Sequence, residues 1–190
     1  MIQQTTVMKL IIAIIGLGNS GTGLATRLVN SPYRLLLFDQ DFSKAQALTD
    51  QLLSTTLSGD VEAVDCQVNA SWEADIIVLA VSESSKKQLC DRIREVATCK
   101  IIISLSTSTN DVHTDYLNTY TNQEWQPWLP TSKVVNVLNT IGLSNAFLIG
   151  TNLEALTTVS EVMQAAGLHP IVVEDWSVYT TPRDSVQPIR

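Results

Sequence analysis

Charge is scarce in this chain: only 16% of its 190 residues are Asp, Glu, Lys or Arg, and the 12 basic residues nowhere gather into a run. With a net charge of −7 and a pI near 4.7, that scarcity excludes nucleic acid and anionic membrane surfaces as partners. Cysteine is as sparse. Cys66, Cys90 and Cys99 are odd in number and form no CxxC pair, which argues against a disulfide framework and against a zinc site; a reducing, cytoplasmic location is expected. No apolar stretch is long enough to span a membrane. The stretch after Lys9 could be mistaken for a signal peptide, but it is short, lacks a small-residue cleavage site and runs directly into glycines, so a strand is expected there instead. The 45% hydrophobic content suffices for a sizeable core, and the length fits one domain over residues 1–190 with an extended polar tail from about residue 178 to 190.

What the chain does have is concentrated between Leu10 and Asp39. An apolar run, Leu10-Ile11-Ile12-Ala13-Ile14-Ile15, leads into Gly16-Leu17-Gly18-Asn19-Ser20-Gly21-Thr22-Gly23-Leu24-Ala25, and a second run, Leu35-Leu36-Leu37-Phe38, ends on Asp39. This reads as strand, glycine turn, helix, strand, acid. In such a unit Gly16 permits the tight turn, Gly18 lets backbone approach a pyrophosphate, and Gly21 lets helix and strand pack closely. A helix beginning near Asn19 or Ser20 offers unpaired N–H groups and the positive end of its dipole to an anion. No Walker lysine follows, which rules out a P-loop. Glycine turns also serve ordinary αβ packing, but the flanking strand, the Leu24, Ala25, Leu28 face and the terminal acid point to a dinucleotide site. Asp39 would accept the hydroxyls of an adenosine ribose, and Gln40-Asp41-Phe42-Ser43 provide no arginine to receive a 2′-phosphate. NAD(H) is therefore expected over NADP(H), against the plainer reading of Asp39 as a turn or helix-capping acid.

Beyond Asp39 apolar runs and helix-period segments alternate. The spacing predicts a helix over Phe42 to Ser54, strands near Val64 to Val68 and at Asp75 to Val81, a helix from Ser84 to Thr98, and a strand at Lys100 to Leu105. The polar segment from Thr107 to Ser132 holds a predicted helix at Asp111 to Tyr120. Strands follow at Lys133 to Leu138 and Ala146 to Ile149, then a helix from Asn152 to Ala166 ended by Gly167, and a strand at Pro170 to Val173. Continuous apolar strands belong to sheets covered on both faces, so the expected fold is α/β: a Rossmann-like, doubly wound, mostly parallel sheet with helices on both sides.

The glycine turn, the run Ala74-Asp75-Ile76-Ile77-Val78-Leu79-Ala80-Val81, and Leu129-Pro130-Thr131-Ser132-Lys133-Val134-Val135-Asn136-Val137-Leu138-Asn139-Thr140-Ile141 together resemble the coenzyme F-420-dependent NADP oxidoreductase family, whose wider relatives include pyrroline-carboxylate reductases. The resemblance implies hydride transfer between a nicotinamide and a deazaflavin. It implies nucleotide contacts from Gly16, Leu17, Gly18, Asn19, Ser20 and Gly21, with Val81 and Ser82 beside the pyrophosphate and nicotinamide ribose, and Asn139 and Thr140 flanking the nicotinamide. Three departures stand out. The family's Ser-Arg pair after the second strand is here Asp39-Gln40; its Lys and Phe in the third motif are here Asn136 and Leu138. Relatives also place a helical domain behind the Rossmann unit to build the substrate pocket and the dimer, so a homodimer that completes the site is expected.

Hydride transfer between two cofactors needs orientation more than acid-base groups. A carbonyl or imine acceptor would need a proton donor within hydrogen-bond reach. His113 is the candidate for that role, against its commoner reading as an exposed helix histidine; His169, ahead of Pro170, reads as structural. Ser106, Thr107 and Ser108 could bond a ribose or satisfy a turn. Trp125 and Trp128 could stack on a flavin-type ring or anchor a loop, and the anchor is the commoner use. The function expected is an NAD(P)-dependent oxidoreductase acting on a small molecule or a flavin or deazaflavin acceptor; the alternative is a non-catalytic NAD(H)-binding redox sensor or subunit.

Overall fold

The structure, a computed structural model, describes residues 9–108, 127–140 and 144–173. Uninterrupted apolar runs become interior strands because both of their faces are covered: residues Ile12 to Ile15, Leu35 to Leu37 and Ile76 to Leu79 are each at most 1% exposed. The elements, in chain order, are β1 (Ile11–Ile15), α1 (Asn19–Leu28), β2 (Arg34–Phe38), α2 (Phe42–Thr55), β3 (Val61–Ala63), α3 (Gln67–Glu73), β4 (Ile76–Leu79), α4 (Glu83–Ile93), β5 (Ile101–Ser108), β6 (Lys133–Thr140), β7 (Asn145–Gly150), α5 (Leu153–Ala165) and β8 (His169–Val172). They build an eight-stranded sheet in the order β3-β2-β1-β4-β5-β6-β7-β8. All neighbouring pairs are parallel except β6 and β7. The order reverses between β1 and β4, which is where open α/β sheets bind ligands.

Alternate strand residues feed two cores. Ile12, Ile14, Leu35, Leu37, Ile76 and Val78 pack with α1, α2 and α5. Ala13, Ile15, Leu36, Ile77, Leu79 and Ile102 pack with α3 and α4. The expected doubly wound α/β architecture is therefore present, with helices on both faces.

Local chemistry sets the helix ends. Asp41 caps α2 by accepting from the Ser43 N–H at 3.0 Å, and Asn152 caps α5 by accepting from the Ala155 N–H at 2.9 Å. Gly167 ends α5 at φ +72; its N–H donates to the Gln164 carbonyl and the Leu168 N–H to the Met163 carbonyl, both at 2.9 Å, a Schellman stop that favours glycine. On the outermost strand, the His169 and Val173 N–H groups bond towards β7. The missing N–H of Pro170 thus falls on the open side and blunts the edge.

Two sequence expectations are corrected. The strand placed at Val64 to Val68 lies instead at Val61–Ala63, and Gln67 opens the helix α3; a three-residue edge strand needs one buried residue, Val61, and carries almost no pattern. The helix expected over Ser84 to Thr98 is α4, Glu83–Ile93, followed by turns to Cys99, which sits at φ +61. The helix expected at Asp111 to Tyr120 and the tail at 178–190 lie outside the described residues.

Candidate functional site: a glycine turn at the sheet's reversal point

The β1–α1 turn is shaped by what its glycines lack. Gly16 has φ +96, and a Cβ there would come within 2.5 Å of the Ala80 carbonyl oxygen; only glycine satisfies both conditions. Its N–H donates to the Phe38 carbonyl at 2.9 Å, tying the turn to β2. At Gly21 a Cβ would lie 1.9 Å from the Gly16 oxygen and 3.2 Å from the Ala80 Cβ, so the helix sits on the turn as closely as backbone permits. Gly18 is the opposite case. A Cβ there would meet no atom within 4 Å, which leaves a cradle open above the start of α1.

Gly18 is also the N-cap of α1, with no side-chain cap and no acid in the first turn. The positive end of the α1 dipole thus lies beside the cradle, with no carboxylate in the first turn to repel an anion. Leu17, Asn19 and Ser20 complete the turn: Leu17 is 1% exposed, and its carbonyl accepts from the Thr22 hydroxyl at 3.0 Å. Gly23 faces open space within α1. Gly23→Ala should therefore raise stability by about 0.5–1 kcal/mol, the usual helix-interior cost of glycine, with dinucleotide affinity unchanged; urea unfolding that showed a loss would refute this.

Asp39 stands just past β2. Its Oδ2 accepts from the Leu17 N–H at 2.8 Å and from Lys44 Nζ at 3.4 Å, and its Oδ1 accepts from the Asp41 N–H at 3.2 Å. Burial works against ionisation here, but the Leu17 and Asp41 N–H groups and the Lys44 ammonium outweigh it, holding the carboxyl below its ordinary value of 3.8. The carboxylate is therefore ionised at neutral pH and braces the glycine turn. Neither this brace nor Lys44 as its ionic partner is apparent from the sequence pattern.

A cavity of about 300 Å³ opens beside Asp39, bounded by Gly16, Gly18, Phe38, Gln40, Val81 and Ser82. Most of the expected cofactor residues thus converge, either in the turn or on this cavity. Ser82 precedes α4, and its hydroxyl lies within 3.1 Å of those of Ser84 and Ser85. Asn139 and Thr140 close β6 in register with Thr107 and Ser108, three strands from β1 and its turn, with β4 and β5 between. His169 begins β8 at the sheet edge, away from the cavity. Trp128 is partly buried against the core cluster to which α3 and α4 contribute, as an anchor would be. His113 and Trp125 lie outside the described residues. The pattern reading missed Gln67, Gln88 and Arg92, which also line the cavity; α4's i, i+3, i+7 spacing from Ser85 was the available signal. Among the described residues no cluster of three metal-ligating side chains occurs, and no helix is long and apolar enough to cross a membrane.

A braced glycine turn, an uncapped helix start and a strand-end acid around a cavity at the reversal point define a dinucleotide-binding Rossmann protein. The family described as NADP oxidoreductase, coenzyme F-420-dependent, matches residues 11–108, over half of the chain. The chain belongs to that family, which places it among the NAD(P)-dependent oxidoreductases. No curated protein matches it. Among solved structures it is similar to a pyrroline-5-carboxylate reductase from Coxiella burnetii at 20% identity and TM-score 0.68, covering 86% of this chain and 58% of that one. It is also similar to a hypothetical protein from Sinorhizobium meliloti (20% identity, TM-score 0.66, 87% and 84% covered). A third likeness is to a candidate F-420-dependent NADP reductase from an Arthrobacter species (20% identity, TM-score 0.66, 88% and 86% covered). The chain thus spans 58% of the length of the Coxiella reductase, and these likenesses bear on the fold.

Proposed function

We propose that the protein binds a nicotinamide dinucleotide, NAD(H) in preference to NADP(H), across the carboxyl ends of β1, β2 and β4, and serves hydride transfer with a small molecule or a flavin- or deazaflavin-type acceptor. The observation that carries this reading is the open cradle at Gly18, beside a turn whose other two glycines are fixed by backbone contacts. A group the protein does not itself fill is what that cradle suits, and a helix N-terminus with no acid in its first turn favours an anionic one.

The residues divide the work. Gly18 and the first turn of α1 would hold the pyrophosphate, and Asp39, already ionised, would accept ribose hydroxyls on its remaining lone-pair positions. Val81 and Ser82 would orient the half that carries the nicotinamide, with the ends of β5 and β6 beyond them. The bound dinucleotide supplies the hydride chemistry; the chain supplies position. A 2′-phosphate would meet the Asp39 charge, which Lys44 offsets only from 3.4 Å and while 48% exposed.

Isothermal titration tests this. NADH should bind at least about tenfold tighter than NADPH, a gap of roughly 1.4 kcal/mol, and the reduced dinucleotide should turn over with a flavin or dye acceptor. A preference for NADPH would overturn the cofactor choice, and binding of neither would overturn the function.

A further inference from the structure

The cavity beside Asp39 does not end at the ribose position. It runs on to α3 and α4, between apolar walls given by Phe38, Val81 and Leu89. Three long polar side chains reach it from two helices: Gln67, the first residue of α3, and Gln88 and Arg92, about one turn apart on α4. Among the described residues, no hydrogen bond or ion pair engages any of the three. Two amides and a guanidinium converging on an apolar slot suit one kind of guest. That guest is flat and heteroaromatic, with donors and acceptors along its edge and a π-face for the cation.

Resting on the dinucleotide reading above, we infer that Gln67, Gln88 and Arg92 recognise the adenine base itself: the amides pair with its 6-amino edge while the guanidinium covers a face. A glutamine amide suits that edge because its carbonyl accepts from the amino group while its NH₂ donates to N7. Hypoxanthine carries an oxygen where adenine carries the amino group, so one of those bonds is lost. Base choice would then be set on α3 and α4, apart from the turn that holds the phosphates.

The test compares titrations of NADH and reduced nicotinamide hypoxanthine dinucleotide. The wild type should prefer NADH by about tenfold. The double variant Gln67→Leu with Gln88→Leu should bind both equally, by losing about tenfold more affinity for NADH than for the hypoxanthine dinucleotide. Arg92→Met should weaken both by a similar factor. Thermal melting of each variant separates loss of contact from loss of fold, and none of the three side chains is buried. Equal wild-type affinity for the two dinucleotides, or a gap that survives in the double variant, overturns the base recognition and leaves the dinucleotide reading intact. Binding of neither overturns both.

Discussion

Gly18→Ala should keep the wild-type melting temperature and lose dinucleotide affinity, whereas Gly21→Ala should lose stability. Both glycines belong to one turn, but the added methyl meets different things. At Gly18 it enters open space on a backbone of φ −67 and ψ −169, which alanine adopts freely. Protein contacts are untouched, and only a phosphate would collide; affinity for NADH should fall about a hundredfold, roughly 2.7 kcal/mol. At Gly21 the methyl would lie 1.9 Å from the Gly16 oxygen, and backbone cannot rotate away as a flexible side chain can. A cost of about 3 kcal/mol is expected, which lowers Tm by roughly 6–12 °C in a chain of this size. Calorimetry and titration on the two variants decide the matter. Equal melting losses would refute the division of roles, and undiminished NADH affinity in Gly18→Ala would remove the cradle as the phosphate site.

The second large effect is expected at Asp39→Ala, in two independent readouts. The NADH over NADPH preference should vanish, because the charge that discriminates against a 2′-phosphate is gone. Stability should also fall by about 1–2 kcal/mol, since the partly buried Leu17 N–H loses its acceptor. The pH dependence follows from the direction of the shift. The Asp39 carboxyl is held below its ordinary value of 3.8 in the folded protein, so the contribution of its charge is fully present above that ordinary value. It declines as pH falls through the folded value. Urea unfolding of wild type and variant should therefore show a constant gap from about pH 5 to 8 and a shrinking one below about pH 4. A gap that persists unchanged in acid would mean that the carboxylate charge is not what braces the turn.

How far the chain could be read without coordinates depended on how local each feature is. The runs at Ile11–Ile15, Arg34–Phe38 and Ile76–Leu79 are legible because a strand covered on both faces must be apolar throughout, and the glycine spacing between the first two marks the turn. α3 was hidden: seven residues hold barely two turns of helical period, and Val64, Val68 and the neighbouring polar residues imitate a short strand. The brace on Asp39 was hidden for another reason. Its donor is a backbone N–H far along the chain, and no side-chain pattern reports where a backbone N–H points. Gln67, Gln88 and Arg92 became visible as a group only when two helices met over one cavity. The reversal of β7 was within reach, because the few residues between Thr140 and Asn145 cannot make the crossover of a dozen or more that a parallel neighbour needs.

That reversal bears on how variation can remodel the protein. From β1 to β6, only the segments that leave a strand open on the rim that carries the glycine turn. At β7 and β8 the direction inverts, and the segments entering these strands, ahead of Asn145 and His169, open on the same rim. A lineage can therefore lengthen or rewrite the stretch before β8 and change what borders the far side of that rim, while β1, β2 and β4 keep their register and the turn keeps its shape.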